Sequence, residues 1–360
     1  MMNEHYFSVI MAGGVGKRFW PRSRKDSPKQ LLDIIGDESM INLTIKRLLK
    51  VSPLERLYII TNYHQAEMIL AQNPNLSWEN FIIEPSGKNT APAIALAAAI
   101  LKKRDPEAVM GLFPADHLIQ DEKDFIACLN EGVRIAAEKN VLITFGIEPT
   151  RPATGYGYIQ VEKEPLPDST LVYKSKTFAE KPNLETAKRF LSSGEFLWNS
   201  GMFIWRADVI LKEIEKYLPE LYEIIDTLTN SMDTEEYDKT LQKLWRTIKP
   251  VSIDYGVMEN AKHVKVVRGK FGWSDVGSWD AVYSLEKKDK YGNVLRGDGY
   301  LLESSGNYIY SSEAQVFARN VHNLIVIADK GVILLIPRDE SESIKGIVDA
   351  LPVVGKEDLL

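Results

Sequence analysis

The sequence has 360 residues, of which 44% are hydrophobic and 26% are charged, with a formal net charge of −6. This composition is typical of a globular protein with room for one large and one small domain, and the acidic balance argues against general nucleic-acid binding. The sequence shows neither the apolar run of about 18 residues that a membrane helix needs nor a signal peptide. Because Cys128 is its only cysteine, we expect no intramolecular disulfide and a reducing, cytoplasmic location.

The chain begins with an apolar run at residues 6–11, which predicts a strand that opens into a glycine-rich loop. Gly13, Gly14 and Gly16 lack the β-carbons that would keep backbone N–H groups away from an anion. The dinucleotide fingerprint is excluded because Phe19 stands where it requires glycine, and the P-loop pattern also fails. The loop carries a dense set of cations: Lys17, Arg18, Arg22, Arg24, Lys25 and Lys29. In an acidic chain this set favours a polyphosphate ligand over a solvated basic turn.

Strand-length apolar runs and longer helical patterns alternate from the loop to about residue 150. The predicted strands are 57–61, 81–84, 109–113 and 141–146. The predicted helices are 41–50, 90–103 and 125–138. This order predicts an α/β fold with an open, mostly parallel, Rossmann-like sheet and helices on both faces.

After about residue 291, short strand-like pieces separated by glycine, asparagine and serine predict a small β-rich unit. A helix predicted at 342–350 closes this unit. We place the boundary near 286, with a large domain at 1–285 and a small C-terminal domain at 286–360.

One carboxylate has a position typical of a ligand site. Asp116 directly follows the predicted strand 109–113, at the carboxyl edge where open α/β sheets bind ligands. A hard oxygen ligand there suits Mg²⁺, which commonly takes one or two protein carboxylates together with phosphate oxygens and water. Asp275 is the candidate second ligand, although an aspartate in a turn is most often a cap or turn residue.

The loop at 12–30 has the pattern A-G-G-x-G-x-R-x-W-P-x-S-R-x-x-x-P-K-Q. This pattern resembles the signature loop of the sugar-1-phosphate nucleotidyltransferases, and its W-P, S-R and P-K-Q elements resemble their mannose-1-phosphate guanylyltransferase branch. The resemblance extends over residues 6 to 350 through further motifs in the same order. These motifs are Glu84-Pro85, 89–93, 113–117, 154–159, 180–182, 198–203, 252–255 and 273–279.

The resemblance implies an enzyme that transfers GMP from GTP to α-D-mannose 1-phosphate, giving GDP-mannose and pyrophosphate. Direct in-line, Mg²⁺-assisted displacement needs charge neutralisation and positioning but no general base, since the nucleophile is already an anion. Two alternatives stay open: another hexose-1-phosphate nucleotidyltransferase of this fold, and a non-catalytic sugar-nucleotide sensor. Similar enzymes have a GT-A-like fold and a C-terminal left-handed β-helix. A homodimer through the β-rich tail stays open, and no nucleic-acid or membrane partner is expected.

The resemblance also implies roles for individual residues. The implied catalytic residues are Arg18, Lys29, Lys181, Asp116 and Asp275, with Asp116 and Asp275 binding the metal. The implied nucleotide-binding residues are Ala12, Gly13, Gly14, Gly16, Lys17, Arg18, Lys29, Gly87, Asn89, Thr90 and Asp116. The implied sugar-phosphate-binding residues are Gly157, Glu180, Lys181 and Asn199. Without the resemblance, Glu180 and Lys181 are typical of a solvated charged pair, and Thr90 of a helix cap.

Overall fold

The computed structural model describes residues 3–360, whose contacts divide into two compact units. Unit 1 contains the residues up to Gly13 with 45–115 and 119–273, and unit 2 contains 14–44, 116–118 and 274–360. This division differs from the boundary predicted near residue 286, because two segments from early in the chain group with the C-terminal residues.

The secondary structure follows the predicted alternation in the first part of the chain. The strands are β1 Tyr6–Met11, β2 Leu57–Thr61, β3 Phe81–Ile83, β4 Val109–Pro114, β5 Leu118–Ile119, β6 Leu142–Ile147, β7 Tyr158–Pro165, β8 Val172–Ala179, β9 Phe196–Arg206, β10 Val264–Gly269, β11 Trp273–Ser274, β12 Val294–Arg296, β13 Gly299–Leu302, β14 Tyr308–Ser311, β15 Val316–Arg319, β16 Leu324–Asp329 and β17 Val332–Pro337. The helices are α1 Met40–Leu48, α2 Tyr63–Gln72, α3 Thr90–Arg104, α4 Glu122–Glu138, α5 Leu184–Ser193, α6 Ala207–Tyr217, α7 Pro219–Ser231, α8 Tyr237–Trp245, α9 Trp279–Leu285 and α10 Ile344–Ala350. No helix within residues 3–360 combines the length and the apolar character needed to cross a bilayer.

The large sheet of unit 1 has the strand order β3-β2-β1-β4-β9-β6-β10-β8-β7. Strands β3, β2, β1 and β4 are parallel neighbours, and so are β6 and β10. Strand β9 runs antiparallel to both β4 and β6, and β7 and β8 are also antiparallel to their neighbours. The α/β prediction is confirmed. Most strands of this sheet run in one direction, as predicted, and only β8 and β9 run opposite to the others.

Helices cover both faces of this sheet. Successive side chains of β9 point to opposite faces and meet a helix on each. Phe203 and Trp205 lie in the buried cluster that contains the apolar side chains of α3 and α6. Ile204 points to the other face, where a β-carbon placed on Gly132 of α4 would lie 2.7 Å from it. Gly132 therefore lets α4 approach the sheet closely.

Unit 2 contains the β-rich segment. Strands β12, β14 and β16 pair in parallel, and β17 completes that sheet antiparallel to β16. Strands β13 and β15 form a second, parallel pair. The small β-rich unit predicted after residue 291 is confirmed. Its buried cluster joins Trp279, Tyr308 and Ile325 to Phe19 and Trp20 of the glycine-rich loop.

Candidate functional site

The glycine-rich loop of unit 2 folds back on itself. The Lys29 N–H donates to the Val15 carbonyl over 3.0 Å, and the Ser23 hydroxyl donates to the Gly16 carbonyl over 2.7 Å. Gly16 has a φ of 78°, and a β-carbon there would lie 2.5 Å from Lys29 Cβ. Gly16 is therefore required both for its left-handed backbone and for the close approach of Lys29.

Lys29 brings three of the predicted catalytic residues together in unit 2. Its side chain is 7% exposed, and Nζ donates to Asp116 Oδ2 over 2.7 Å and to the Asp275 carbonyl over 3.0 Å. The ammonium also lies 5.0 Å from the centre of the Phe19 ring. Two aspartates that are far apart in the sequence thus meet at one buried cation.

The donor set fits the predicted magnesium ion. Burial disfavours the ionised form of Asp116, but Lys29 and His117 outweigh this effect, so the pKa of the Asp116 carboxyl lies below its usual value. An ionised carboxylate is a hard oxygen ligand of the kind that Mg²⁺ prefers. The described residues contain no cluster of three or more His, Cys, Asp or Glu with the geometry of a metal site. A metal ion held by Asp116 and Asp275 stays a prediction.

Strain marks the residue that follows the second aspartate. Val276 is fully buried and has a φ of 45°, a left-handed conformation that is unusual for a β-branched residue. Such strain costs roughly 1–3 kcal/mol and persists where the surrounding structure fixes it, often at functional sites.

The sequence suggested that the six cations of the loop form one phosphate-binding set. In the structure they do not all do so. Arg22 is buried, forms an ion pair with Asp33 and stacks over Tyr310, so its role is structural. Arg24 donates through Nε to the Pro21 carbonyl over 3.1 Å.

The two predicted phosphate contacts of the first turn differ in availability. Lys17 Nζ lies 2.8 Å from Asp349 Oδ1 of α10. Arg18 is exposed, and its side chain has no hydrogen bond or ion pair with any other residue of 3–360. Of the two cations in this turn, Arg18 is therefore the more available to bind a phosphate.

The predicted sugar-phosphate residues assemble in unit 1. Lys181 Nζ lies 2.9 Å from Glu180 Oε1, and the Asn199 N–H donates to the Gly157 carbonyl over 2.8 Å. A β-carbon on Gly157 would collide with Glu180 Oε2, so a larger residue here would require the end of the Glu180 side chain to move. Lys181 is half exposed and has a φ of 47°. Burial tends to lower the pKa of Lys181, but its bond to Glu180 leaves the pKa raised.

The loop predicted to contact the base is held in place by hydrogen bonds of its own side chains and of neighbouring residues. Asn89 Oδ1 accepts from the Thr90 N–H over 2.8 Å and caps α3, and Thr90 Oγ1 accepts from the Ile253 N–H over 2.9 Å. The Trp245 indole donates to the Ser86 carbonyl over 2.7 Å. Gly87 is exposed between these anchors. A contact of this loop with the base stays a prediction that depends on backbone groups.

Glu84 was not among the predicted site residues. It follows β3 directly and is 7% exposed, and its Oε2 has no hydrogen-bond donor among residues 3–360. Burial raises the pKa of this carboxyl to about 7. A β-carbon on Gly13 would lie 3.7 Å from Glu84 Oε1. A buried acid without a donor, next to a glycine backbone, is typical of a group that awaits a ligand donor.

Comparisons with known proteins show the family to which this chain belongs. Residues 7–291 match the family model described as "Nucleotidyl transferase". The chain is 37% identical to a mannose-1-phosphate guanylyltransferase of Escherichia coli, over 99% of this chain and 78% of that relative. This chain belongs to the nucleotidyl transferase family, among the mannose-1-phosphate guanylyltransferases. The family predicted from the sequence is thereby confirmed.

Two further matches extend over nearly the whole chain. A mannose-1-phosphate guanylyltransferase of Klebsiella pneumoniae is 39% identical over 95% of this chain and 73% of its own length. The crystal structure described as mannose-1-phosphate geranyltransferase from Thermus thermophilus superimposes with a TM-score of 0.86 at 29% identity, covering 97% of this chain and 99% of that one. Both likenesses include the C-terminal residues that follow the family match.

Ala12, a predicted nucleotide-binding residue, uses its backbone groups in the fold. Two acids near the predicted site residues were not predicted. The Ala12 N–H donates to the Ile60 carbonyl, and its own carbonyl accepts from Thr61 Oγ1. Asp254 was missed as well as Glu84, although both occur inside motifs that carried the resemblance. The signal available was an acid within each motif, and the burial that distinguishes them appears only in the folded chain.

Proposed function

We propose that this enzyme transfers GMP from GTP to α-D-mannose 1-phosphate, forming GDP-mannose and releasing pyrophosphate. Family membership supports the reaction type, and the relatives named mannose-1-phosphate guanylyltransferase support the substrates. The observation that carries the proposal is the buried Lys29 ammonium, held by the Asp116 carboxylate and the Asp275 carbonyl. A site built to neutralise a transferring phosphoryl group needs this combination of cation and hard oxygen ligands.

The chemistry assigned to these residues is a direct displacement. An oxygen of the sugar phosphate attacks the α-phosphorus of GTP, and the bond to the bridging oxygen of pyrophosphate breaks as the new bond forms. Lys29 neutralises the transferring group, Arg18 binds the β- and γ-phosphates, and Lys181 binds the sugar phosphate. Asp116 and Asp275 would hold Mg²⁺, which supplies charge neutralisation at the phosphates when bound.

Glu84 is the residue we assign to guanine recognition, together with the backbone of the loop 86–91. Guanine presents two adjacent donors, N1–H and the N2 amino group, and an ionised carboxylate accepts two hydrogen bonds. The buried Glu84 carboxyl lacks a protein donor at Oε2. Adenine has no N1–H, so ATP would leave this acid buried without adequate donors.

The reaction is tested by measuring pyrophosphate release for four nucleoside triphosphates with mannose 1-phosphate and with glucose 1-phosphate, in the presence of Mg²⁺. We expect GTP to exceed ATP and UTP in kcat/KM by up to about four orders of magnitude, because a site built around specific donors rejects analogues that lack them. Sugar selectivity should be weaker, since the two sugars differ in the direction of one hydroxyl. Comparable rates with ATP would contradict guanine selectivity. Exchange of labelled pyrophosphate into GTP without sugar phosphate would contradict direct displacement.

Replacing Glu84 by glutamine separates base recognition from catalysis. Glu84→Gln should lower kcat/KM for GTP by about 10- to 100-fold, the loss expected for one charged hydrogen bond, and narrow the ratio of GTP to ATP. Glu79→Gln is the matched control, because Glu79 is exposed just before β3. An unchanged GTP to ATP ratio in Glu84→Gln would remove this residue from base recognition.

We also infer a coiled arrangement and an association surface for the C-terminal strands. Successive strands alternate between two parallel pairings, as the coils of a β-helix do, and this supports the predicted β-helix-like domain. Tyr300 and Phe317 are exposed apolar side chains that lie opposite each other on the pair β13 and β15, which supports a homodimer through this surface. Light scattering on wild type and on Phe317→Asp tests the dimer.

A cytoplasmic location stays a prediction that depends on the single cysteine.

A further inference from the structure

Asp254 is a carboxylate of unit 1 to which no role has been assigned. It opens a short π-helical turn, Asp254–Met258, a form that occurs often at functional sites. Its Oδ1 accepts a hydrogen bond from Asn199 Nδ2 over 2.8 Å. The carboxylate therefore lies beside the predicted sugar-phosphate residues.

The Asn199 amide is committed to the protein. Asn199 is 8% exposed, and its Oδ1 accepts from Thr144 Oγ1 over 2.8 Å and from the Gly201 N–H over 3.3 Å. Because a backbone N–H can only donate, the Gly201 contact fixes the oxygen on this side of the amide. Nδ2 then points to Asp254. Asn199 is thus suited to orient Asp254 rather than to serve as the main contact of a sugar.

Glu180 supplies a second acceptor in the same cluster. Its Oε1 is bonded to Lys181, whereas its Oε2 is buried and has no donor among residues 3–360. The Glu180 N–H donates to Glu259 Oε1 over 3.0 Å, which holds the backbone that carries this carboxylate. A buried carboxylate oxygen without a donor is costly unless a ligand supplies one.

The charges of the cluster do not balance within it. Burial and the neighbouring Glu180 raise the pKa of Asp254 to about 6, so the Asp254 carboxyl is ionised in neutral or mildly basic solution. Lys181 interacts with both acids, through its ion pair with Glu180 and through its charge near Asp254. If Lys181 binds the sugar phosphate, the two carboxylates are left to accept hydrogen bonds from neutral donors. The hydroxyl groups of a hexose are such donors.

We infer that Asp254 and Glu180 together accept hydrogen bonds from the vicinal C2 and C3 hydroxyls of the sugar phosphate, with Asn199 as the residue that positions Asp254. This inference rests on the proposed function. It assigns to Asp254 a direct part in sugar recognition. The C2 hydroxyl, on the carbon next to the phosphate-bearing one, and the adjacent C3 hydroxyl are chosen because Lys181, which binds that phosphate, is bonded to Glu180.

The test combines variants of Asp254 with substrates that lack one hydroxyl. Wild type, Asp254→Ala and Asp254→Asn are assayed with mannose 1-phosphate and with its 2-deoxy and 3-deoxy analogues. We expect Asp254→Ala to lower kcat/KM for mannose 1-phosphate by about 10- to 100-fold. One deoxy analogue should then react at a rate within about threefold of the parent sugar in this variant, whereas in wild type it is much slower, because the partner of the missing hydroxyl is already gone.

Controls separate recognition from folding. Asp254→Asn keeps the acceptor for Asn199 and nearly the same shape, and Asp238→Asn is a matched change at an exposed position of α8. Calorimetric titration of GTP should give a Kd within about twofold of wild type for Asp254→Asn, as expected when only the sugar contact is altered. Asn199→Ala should weaken the same hydroxyl coupling, a change that a purely structural role would not produce.

The outcomes are distinct. In one outcome, each deoxy sugar lowers kcat/KM by the same factor in the Asp254 variants as in wild type, while wild type turns over mannose 1-phosphate normally. This result would overturn the inference and leave the proposed function standing. Absence of pyrophosphate release by the wild type from GTP and mannose 1-phosphate would overturn the proposed function itself.

Discussion

Lys29 shows how one side chain organises several others. Its ammonium is almost fully buried, so it depends on the Asp116 carboxylate and the Asp275 carbonyl for compensation. Removing one member of a buried ionic contact leaves the other without a partner, which is more damaging than the loss of an exposed pair. Asp116 contributes a carboxylate oxygen to Lys29, and Asp275 contributes its backbone carbonyl.

These contacts give a prediction for the aspartates. Asp116→Asn and Asp275→Asn should each lower kcat by several orders of magnitude, because each removes a predicted metal ligand. Asp116→Asn should also lower the melting temperature, since it removes a charge bonded to Lys29. Steady-state kinetics over a range of Mg²⁺ concentrations and thermal melts measure both effects. Asp298→Asn, at an exposed position of unit 2, is the control. Near-normal turnover of either variant would exclude that aspartate from the metal site.

Glu84 gives a prediction for stability against pH. Burial raises the pKa of Glu84 from 4.5 to about 7, so between these values the folded state binds more protons than the unfolded state. The free energy of unfolding should therefore fall as pH rises through this window, by up to about 3 kcal/mol from this group. Glu84→Gln should lack this component and be relatively more stable at pH 8. Denaturant unfolding of both proteins from pH 4.5 to 8 measures it. Parallel pH profiles would show that this carboxyl does not titrate as described.

At the level of elements, the glycine-rich loop is fixed by contacts at both of its ends. Short 3₁₀ turns at Lys17–Phe19 and Lys29–Leu31 close against each other through Gly16. The C-terminal residues of unit 2 also hold the loop. Asp349 of α10 pairs with Lys17, and the Trp20 indole donates to the Leu359 carbonyl over 3.0 Å. The loop is therefore an ordered element, although its sequence contains no long helix or strand.

Two glycines with similar backbone angles test this description. Gly16 has a φ of 78° and Gly36 a φ of 74°, but a β-carbon meets Lys29 at Gly16 and no atom within 4 Å at Gly36. Gly36→Ala should cost only the backbone penalty, about 1 kcal/mol. Gly16→Ala should destabilise the protein more and abolish most activity, because Lys29 must move. Equal stability and activity of the two variants would contradict the close packing of the loop.

At the level of the whole molecule, unit 2 is assembled from three separate segments of the chain. Its buried cluster contains Phe19, Trp20, Ile34 and Met40 from the first segment together with C-terminal side chains. The domain boundary predicted near residue 286 separates these partners. A change of local pattern in the sequence is therefore not the same as a boundary between folding units.

This assembly predicts the behaviour of an isolated fragment. Residues 286–360 alone should be largely unfolded, because they lack the early residues that complete their core and would expose the buried faces of Tyr308 and Ile325. Circular dichroism and ¹H–¹⁵N correlation spectra of the fragment, compared with the full chain, measure this. A well-dispersed spectrum with a cooperative melt would show that the 286–360 domain folds independently.

The sequence by itself determined the features that depend on neighbouring residues. Apolar runs and cap residues predicted the strand–helix alternation from β1 to β6, and the spacing of glycines and cations predicted a phosphate-type loop, because these signals act over a few residues. Only the tertiary structure decided which distant groups meet. It placed Lys29 against Asp116 and Asp275, paired Arg22 with Asp33, and inserted β9 antiparallel into the sheet. It also buried Glu84 near Gly13 and placed Asp254 against the Asn199 amide. Burial and long-range pairing depend on residues that lie tens to hundreds of positions apart, and no local pattern encodes them.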